Sequence, residues 1–343
     1  MGLILNDLKN ACELEHVCDY VNNRTTSSMN YISTENMLPN KGGISESTII
    51  PPGTTTEYKI GDILISNIRP YFQKIWCADR CGGCSADVLC IRAKENTDSK
   101  YLYYLLSQQA FFDYVMSGAK GCKMPRGDKK QIMQWPVNIP AIDVQKKVVA
   151  ILSSLDNKIR LNRRINDNLE EQAKALFNHY FIQNTENLGE WQDGVLTDIA
   201  QYLNGLAMQK YPAMPNEAGL PVLKIKELGQ GQCDTNSDRC SSLIKPEYII
   251  SDGTIIFSWS GTLLVDIWCG GKCGLNQHLF KVSSAKYPQW FVFYWTKHHL
   301  NKFIRIAKDK AVTMGHIKRC DLEISKVKIP SKQALVNLDK PVG

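Results

Sequence analysis

The chain has 343 residues, of which 43% are hydrophobic, 22% charged and 9% aromatic; this balance excludes a disordered or fibrous polypeptide and suits two globular units plus a connecting element. Its 41 Lys and Arg against 34 Asp and Glu leave a formal net charge of +7, which admits an anionic partner without naming one. No run approaches ~18 consecutive apolar residues, and Met1 to Asn10 lacks a basic segment followed by an apolar core, so membrane insertion and export are disfavoured. The 12 cysteines, spread through a long chain, then read as reduced thiols of a cytoplasmic protein.

In chain order, residues 62–66 (Asp-Ile-Leu-Ile-Ser) form the first strand-like run, rich in β-branched residues and preceded by Gly61. An Ile-Trp-Cys segment follows at 75–82. Residues 100–115 are aromatic and helical in pattern, and a polar, basic loop then leads to Val-Asn-Ile-Pro at 137–140. From there to about Phe181 no Gly or Pro intervenes. Apolar residues at Val144, Val148, Ile151, Leu155, Ile165, Leu169 and Leu176 recur at spacings of three and four, with Leu152, Ile159, Ala173 and Tyr180 on the flank, which predicts one long coiled-coil-type helix. Lys158 and Asn162 interrupt the seam, a polar insertion that can fix register with a partner helix.

The elements then repeat. Residues 254–258 (Thr-Ile-Ile-Phe-Ser) form a second buried strand, and Ile267-Trp268-Cys269-Gly270-Gly271-Lys272-Cys273-Gly274 restates Ile75-Trp76-Cys77-Ala78-Asp79-Arg80-Cys81-Gly82 at an offset of 192. Residues 287–306 match the first aromatic helix, and 314–330 align with 124–140, both blocks ending in Val-x-Ile-Pro. The fold class is therefore α+β (mixed): two related modules joined by a long helix. Two similar modules on one spacer suit two similar targets on a regularly spaced polymer.

Known catalytic signatures are lacking: no phosphate loop, nucleophile elbow, zinc helix, dinucleotide turn or Asn-Pro-Pro-aromatic segment is found. Cys77, Cys81, Cys84 and Cys90 are too loosely spaced for a zinc site, and only Cys269 and Cys273 persist in the second copy, so no metal and no catalytic residue is assigned. Loops offer contacts instead. The first module presents Asn67, Arg69, Tyr71 and Lys74, then Lys120, Lys123, Arg126, Lys129 and Lys130; the second presents Trp259, Ser260, Asn276, Gln277 and His278, then Lys310, His316, Lys318 and Arg319. Lys and Arg neutralise phosphates, Arg can bridge the two acceptors of guanine, and Asn or Gln can do the same for adenine.

The segments Tyr31-Ile32-Ser33-Thr34-Glu35-Asn36-Met37-Leu38-Pro39, Ile65-Ser66-Asn67-Ile68-Arg69-Pro70-Tyr71-Phe72, Lys123-Met124-Pro125-Arg126-Gly127-Asp128-Lys129 and Leu275-Asn276-Gln277-His278-Leu279-Phe280-Lys281-Val282, with the helix block 139–147 through 169–173, resemble type I restriction-modification specificity (S) subunits. The resemblance implies two target-recognition domains (1–140 and 184–330), a central conserved helix (141–183) and a shortened second conserved region (331–343). It further implies recognition of a split site on double-stranded DNA by a noncatalytic subunit. Methyltransferase (M) subunits would supply S-adenosylmethionine chemistry on a flipped adenine, and a restriction (R) subunit the ATP- and Mg-dependent cleavage. No cofactor falls to this chain. Val148, Ile151, Leu155, Ile159, Ile165, Leu169 and Leu176 would meet an M subunit or a second S chain. Other classes stay open: a thiol or zinc hydrolase, distinguished by activity and bound metal in the purified chain, or a truncated S subunit or stand-alone DNA-binding regulator that directs no modification.

Overall fold

The computed structural model describes residues 11–26, 30–47, 53–121, 123–183, 191–215, 217–309 and 315–342, and the chain divides into two compact units, Met1–Arg163 and Arg164–Gly343.

In the first unit an antiparallel sheet runs Cys18–Tyr20, Val88–Ala93, Ile63–Ser66, Ile75–Cys77 in spatial order, and a second, smaller sheet joins Arg24–Thr25, Thr55–Tyr58 and Gly82–Cys84. Alternation along a strand sends successive side chains to opposite faces. Ile63, Ile65, Leu89, Ile91 and Ile75 enter one core with the helical residues Leu102, Leu106, Phe111 and Phe112. Leu64, Val88, Cys90 and Trp76 enter another, under the small sheet, with Tyr58 and Met37. Both faces of the Ile63–Ser66 strand are covered, which is why its sequence is continuously apolar.

The helical layer comprises α1 (Ser99–Leu106), α2 (Gln109–Ser117) and α3 (Lys129–Met133). The single helix expected over 100–115 is thus two. Ser107 Oγ turns back to donate to the Tyr103 carbonyl at 2.6 Å, and Gln108 adopts extended φ/ψ, so one helix ends and another starts. The central helix α4 (Ile142–Asn178) has 37 residues, about 55 Å at the usual rise, and closes in a π-helical turn, His179–Gln183, rather than continuing to Phe181 in α geometry. Gln145 anchors its start from a fully buried position: Nε2 donates to the Asn96 and Pro140 carbonyls (3.0 and 2.8 Å) and Oε1 accepts the Asp98 N–H (2.8 Å).

The second unit repeats the plan. Its main antiparallel sheet runs Gln201–Asn204, Leu279–Ser283, Thr254–Ser258, Leu264–Trp268; a smaller one orders Arg239–Cys240, Leu220–Leu223, Cys273–Leu275 and Ile249–Ile250, with its middle pair parallel. Short helices α5 (Leu196–Ile199) and α6 (Ile225–Gln230) precede the long α7 (Gln289–Asp309), and α8 (Arg319–Glu323) and α9 (Lys332–Val342) follow it. Again Ile255, Phe257 and Val265 face the helices while Ile256 and Trp268 face the small sheet. Leu14 and Leu196, both fully buried and each opening a helical turn (Leu14–His16 and Leu196–Ile199), donate their N–H groups to the Trp135 and Ser325 carbonyls at 2.9 and 3.0 Å, so the repeat extends to the start of each unit, which the sequence comparison had not matched.

Here the end of α4 joins the core: Phe177 stacks on Phe181 (5.1 Å between centroids) and Tyr294 (5.6 Å), with Trp295 edge-on at 5.3 Å. Leu335 and Leu338 of α9 enter the same cluster. Substituting Phe177→Ala is expected to lower the unfolding free energy of the second unit by about 3–5 kcal/mol, read from the denaturant midpoint.

His299, on α7, donates Nε2–H to the Lys326 carbonyl at 2.8 Å. Burial, only partly opposed by that bond, pulls its pKa down from 6.5 to about 4. A depressed histidine pKa means the neutral ring is the folded form, so its contribution is complete above pH 6.5 and is lost as pH falls towards 4. The melting temperature should therefore drop between pH 6.5 and 5, before most carboxylates titrate, and H299Q should flatten that slope.

Candidate nucleic-acid interface

The main-sheet hairpin of each unit ends in a loop that is tied by backbone hydrogen bonds to a loop far away in sequence. In the first unit Ile68 bridges Arg126, Arg69 N–H donates to the Pro125 carbonyl at 2.8 Å, and Gly127 N–H donates to the Asn67 carbonyl at 3.2 Å. The second unit repeats this arrangement: Ser260 bridges His316, Gly261 N–H donates to the Gly315 carbonyl at 3.0 Å, and Ile317 N–H to the Trp259 carbonyl at 3.1 Å. The described residues of segments 67–74 and 120–130, chosen from sequence as separate basic loops, therefore form one surface, as do 259–260, 276–278 and 316–319. Lys310 lies outside the described residues.

The side chains on the first surface are unequally available. Lys123 and Lys130 are exposed. Lys120 pairs with Asp128 at 3.1 Å, Arg126 with Asp87 at 3.2 Å, and Lys129 donates to the Tyr20 hydroxyl at 2.7 Å. Asp128 also caps α3, accepting the Lys130 and Gln131 N–H groups at 3.0 and 3.3 Å. The Lys120 ammonium first, then those amides, holds its carboxyl below the usual carboxylate range. Lys74 donates to the Thr34 carbonyl at 2.7 Å; burial draws its pKa down, with Glu35 opposing. Asn67 is buried, and its Oδ1, like Arg69 Nε, has no hydrogen-bond partner. A ligand acceptor or donor could satisfy either atom.

On the second surface Trp259 donates Nε1–H to Asn204 Oδ1 at 2.9 Å and lies near the rings of His278 (6.0 Å), Phe280 (5.7 Å) and His316 (6.3 Å). Ser260 and Asn276 are buried. Gln277 and His278 are half-buried and touch through Nε2 atoms 3.2 Å apart, and His278 Nδ1 is unpartnered. Lys318 and Arg319 are exposed at the start of α8, where Asp321 Oδ2 accepts the Lys318 N–H at 2.7 Å.

Sequence reasoning missed three contributors. Asn40 and Lys41 donate their N–H groups to the Phe72 and Gln73 carbonyls (2.8 and 3.0 Å), joining the 38–43 turn to the first surface; Pro39-Asn40-Lys41-Gly42-Gly43 carried a turn signal. Asn204 is the third, and the Asn204-Gly205 pair marked it. Gly205 passes so close to the Leu275 and Asn276 carbonyls that a Cβ would lie 2.5 and 2.2 Å from them.

Burial pushes the Cys77 thiol to about 11 and the Cys84 thiol to about 12, and raises Cys90 and Cys273 as well, so these sulfurs stay protonated. Among the described residues the one close group of three potential metal ligands is the exposed Glu13, Glu15 and His16.

The seven residues assigned to a partner face all lie on α4. Ile151, Leu155, Ile159, Ile165 and Leu169 are 45–64% exposed, whereas Val148 is half-buried and Leu176 packs against the second unit's core. From Ser154 to Gln172 every residue is exposed. Among the described residues no helix is long and apolar enough to cross a membrane.

Residues 9–171 match the family described as type I restriction modification DNA specificity domain. The type I restriction enzyme MjaIX specificity subunit of Methanocaldococcus jannaschii is 24% identical over 265 residues, taking in 71% of this chain and 61% of that protein. The HindI specificity subunit of Haemophilus influenzae is 29% identical over 161 residues, 44% of this chain and 35% of that protein. The chain thus spans less than two thirds of the length of either relative. The crystal structure of the type I restriction-modification S subunit from M. genitalium superposes with a TM-score of 0.54 at 13% identity, covering 99% of this chain and 90% of that one, a likeness of fold. Residues 9–171 thus carry a type I restriction-modification DNA specificity domain.

The tie between the loops leaves no space at Gly127, where a Cβ would lie 2.8 Å from both Asn67 Oδ1 and Val115 Cγ1 and 3.0 Å from Ile132 Cδ1. All three neighbours are buried and cannot swing away. Gly127→Ala should therefore cost about 1–3 kcal/mol and loosen the paired loops, seen as faster hydrogen exchange at the Arg126 and Gly127 amides.

Proposed function

We propose that this chain is the sequence-reading subunit of a type I restriction-modification complex and makes or breaks no bond itself. Each unit reads one half of a split site on double-stranded DNA through its tied loops. Lys123, Lys130 and Lys318 are suited to phosphates; Asn67, Arg69, Arg126, Asn276, Gln277 and His278 carry the donors and acceptors that base edges require. One observation carries the reading: the same backbone tie occurs in both units, Ile68 to Arg126 and Ser260 to His316, but holds unlike side chains. A conserved frame with different loop chemistry is what two different half-sites demand.

The exposed apolar face of α4 is the docking surface proposed for M subunits or a second S chain, because large apolar patches left open on a soluble protein mark association surfaces. α4 would also set the gap between the half-sites. S-adenosylmethionine would serve the M subunits, and ATP and Mg the R subunit.

Co-expression with the M subunit followed by methylation sequencing is expected to return a bipartite adenine-methylated motif. Arg126→Ala should relax one half of it and Gln277→Ala the other, with each lost base contact reducing binding by roughly 10- to 100-fold. Lys123→Ala should weaken all sequences alike and lower the slope of log affinity against log salt by about 1. Absence of any modified motif would instead favour a DNA-binding regulator.

A further inference from the structure

The loops that close the two main hairpins differ in length. Eight residues, Asn67 to Lys74, separate the strands Ile63–Ser66 and Ile75–Cys77, whereas five, Trp259 to Leu263, separate Thr254–Ser258 from Leu264–Trp268. The longer loop contains a 3₁₀ turn, Pro70–Phe72, flanked by Arg69 (φ 51°) and Gln73 (φ 51°), both left-handed. Asn40 (φ 54°) and Lys41 (φ 60°), which donate to the carbonyls of Phe72 and Gln73, are left-handed too. Of the five described non-glycine residues with positive φ, four therefore meet at this turn, and such strain persists only where the surroundings hold it.

What the strained turn presents is apolar. Pro70 is buried, but Tyr71 is 48% and Phe72 38% exposed, their rings 4.7 Å apart and tilted by 54°. Lys74 lies 5.9 Å from the Phe72 ring, and the turn itself and the segments hydrogen-bonded to it carry Lys41, Arg69 and Arg126. In the second unit the shorter loop ends at Leu263, which is buried, and its aromatic residue, Trp259, is hydrogen-bonded and packed against Phe280. A rigid aromatic pair set among positive charges fits a stack of bases on a phosphate backbone better than a protein surface, which would offer the cations no regular array of anions.

Resting on the function proposed above, we infer that Tyr71 and Phe72 form a wedge that enters between two bases of the first half-site, so that this unit selects its sequence partly by how easily a base step unstacks. Pyrimidine–purine steps yield most readily and should lie beneath it. The corresponding loop of the second unit, Trp259 to Leu263, presents no exposed aromatic pair and reads without a wedge.

The test uses the full chain assembled with its M subunit on the methylated motif, with 2-aminopurine placed in turn at each position except the modified adenine. Fluorescence should rise at one step of the first half-site and at none of the second. Y71A/F72A should abolish the rise, straighten the DNA in an end-to-end energy-transfer measurement and weaken binding about 10-fold, while Y71L/F72L, still apolar, keeps the kink. Both side chains are exposed, so an unchanged melting temperature checks that the fold survives. A bound complex with no fluorescence rise at any first-half position overturns the wedge and leaves the proposed function standing. A Y71A/F72A chain that binds and kinks DNA normally but no longer holds its M subunit overturns it in favour of a protein contact. Failure to direct any methylated motif overturns the wedge and the proposed function together.

Discussion

The loop surface of each unit depends on a short antiparallel bridge between a hairpin loop and a segment more than fifty residues further on, made once in each unit. Backbone N–H and C=O groups must be paired wherever water is excluded, and here they are paired with each other across the loops rather than within a sheet. The bridge itself is made by backbone groups alone. Arg126 and His316 occupy matching places in the two bridges, and nothing in the bridge itself requires either to be what it is. That separation of backbone tie from side-chain identity lets one scaffold carry two unlike loop surfaces.

The sheet beneath the bridges explains why they hold their place. A central strand covered on both faces, by helices on one side and a small sheet on the other, cannot slip register by one residue without exchanging two apolar faces. The hairpin loops therefore leave the sheet at a fixed point. Their lengths are where the units diverge, and the extra residues of the first loop are accommodated by left-handed backbone at Arg69 and Gln73 rather than by any change in the sheet.

The long helix is held differently at its two ends. A buried, fully hydrogen-bonded Gln145 fixes its beginning to the first unit, and an aromatic stack at Phe177 fixes its end in the second. Between them the helix makes its own hydrogen bonds and leaves its apolar residues in the open. In proteins most helical stability comes from packing an apolar face rather than from intrinsic propensity. The exposed seam from Leu155 to Leu169, with Lys158 and Asn162 within it, is the face offered to the partner chain proposed above.

By itself the sequence determined the duplication, the mixed α+β class and the central helix, because periodicity and repeated motifs are local properties. It also read 62–66 and 254–258 as buried strands from their unbroken apolar runs. Only the tertiary structure decided that 67–74 lies against 120–130, that Asn40, Lys41 and Asn204 belong to the same surfaces, and that the helix over 100–115 breaks at Ser107–Gln108. It also revealed that Lys120, Lys129 and Arg126 already have partners while Lys123 and Lys130 stand exposed. These are long-range backbone pairings and side-chain encounters, and their energies depend on which distant groups meet, a quantity that no window of neighbouring residues contains.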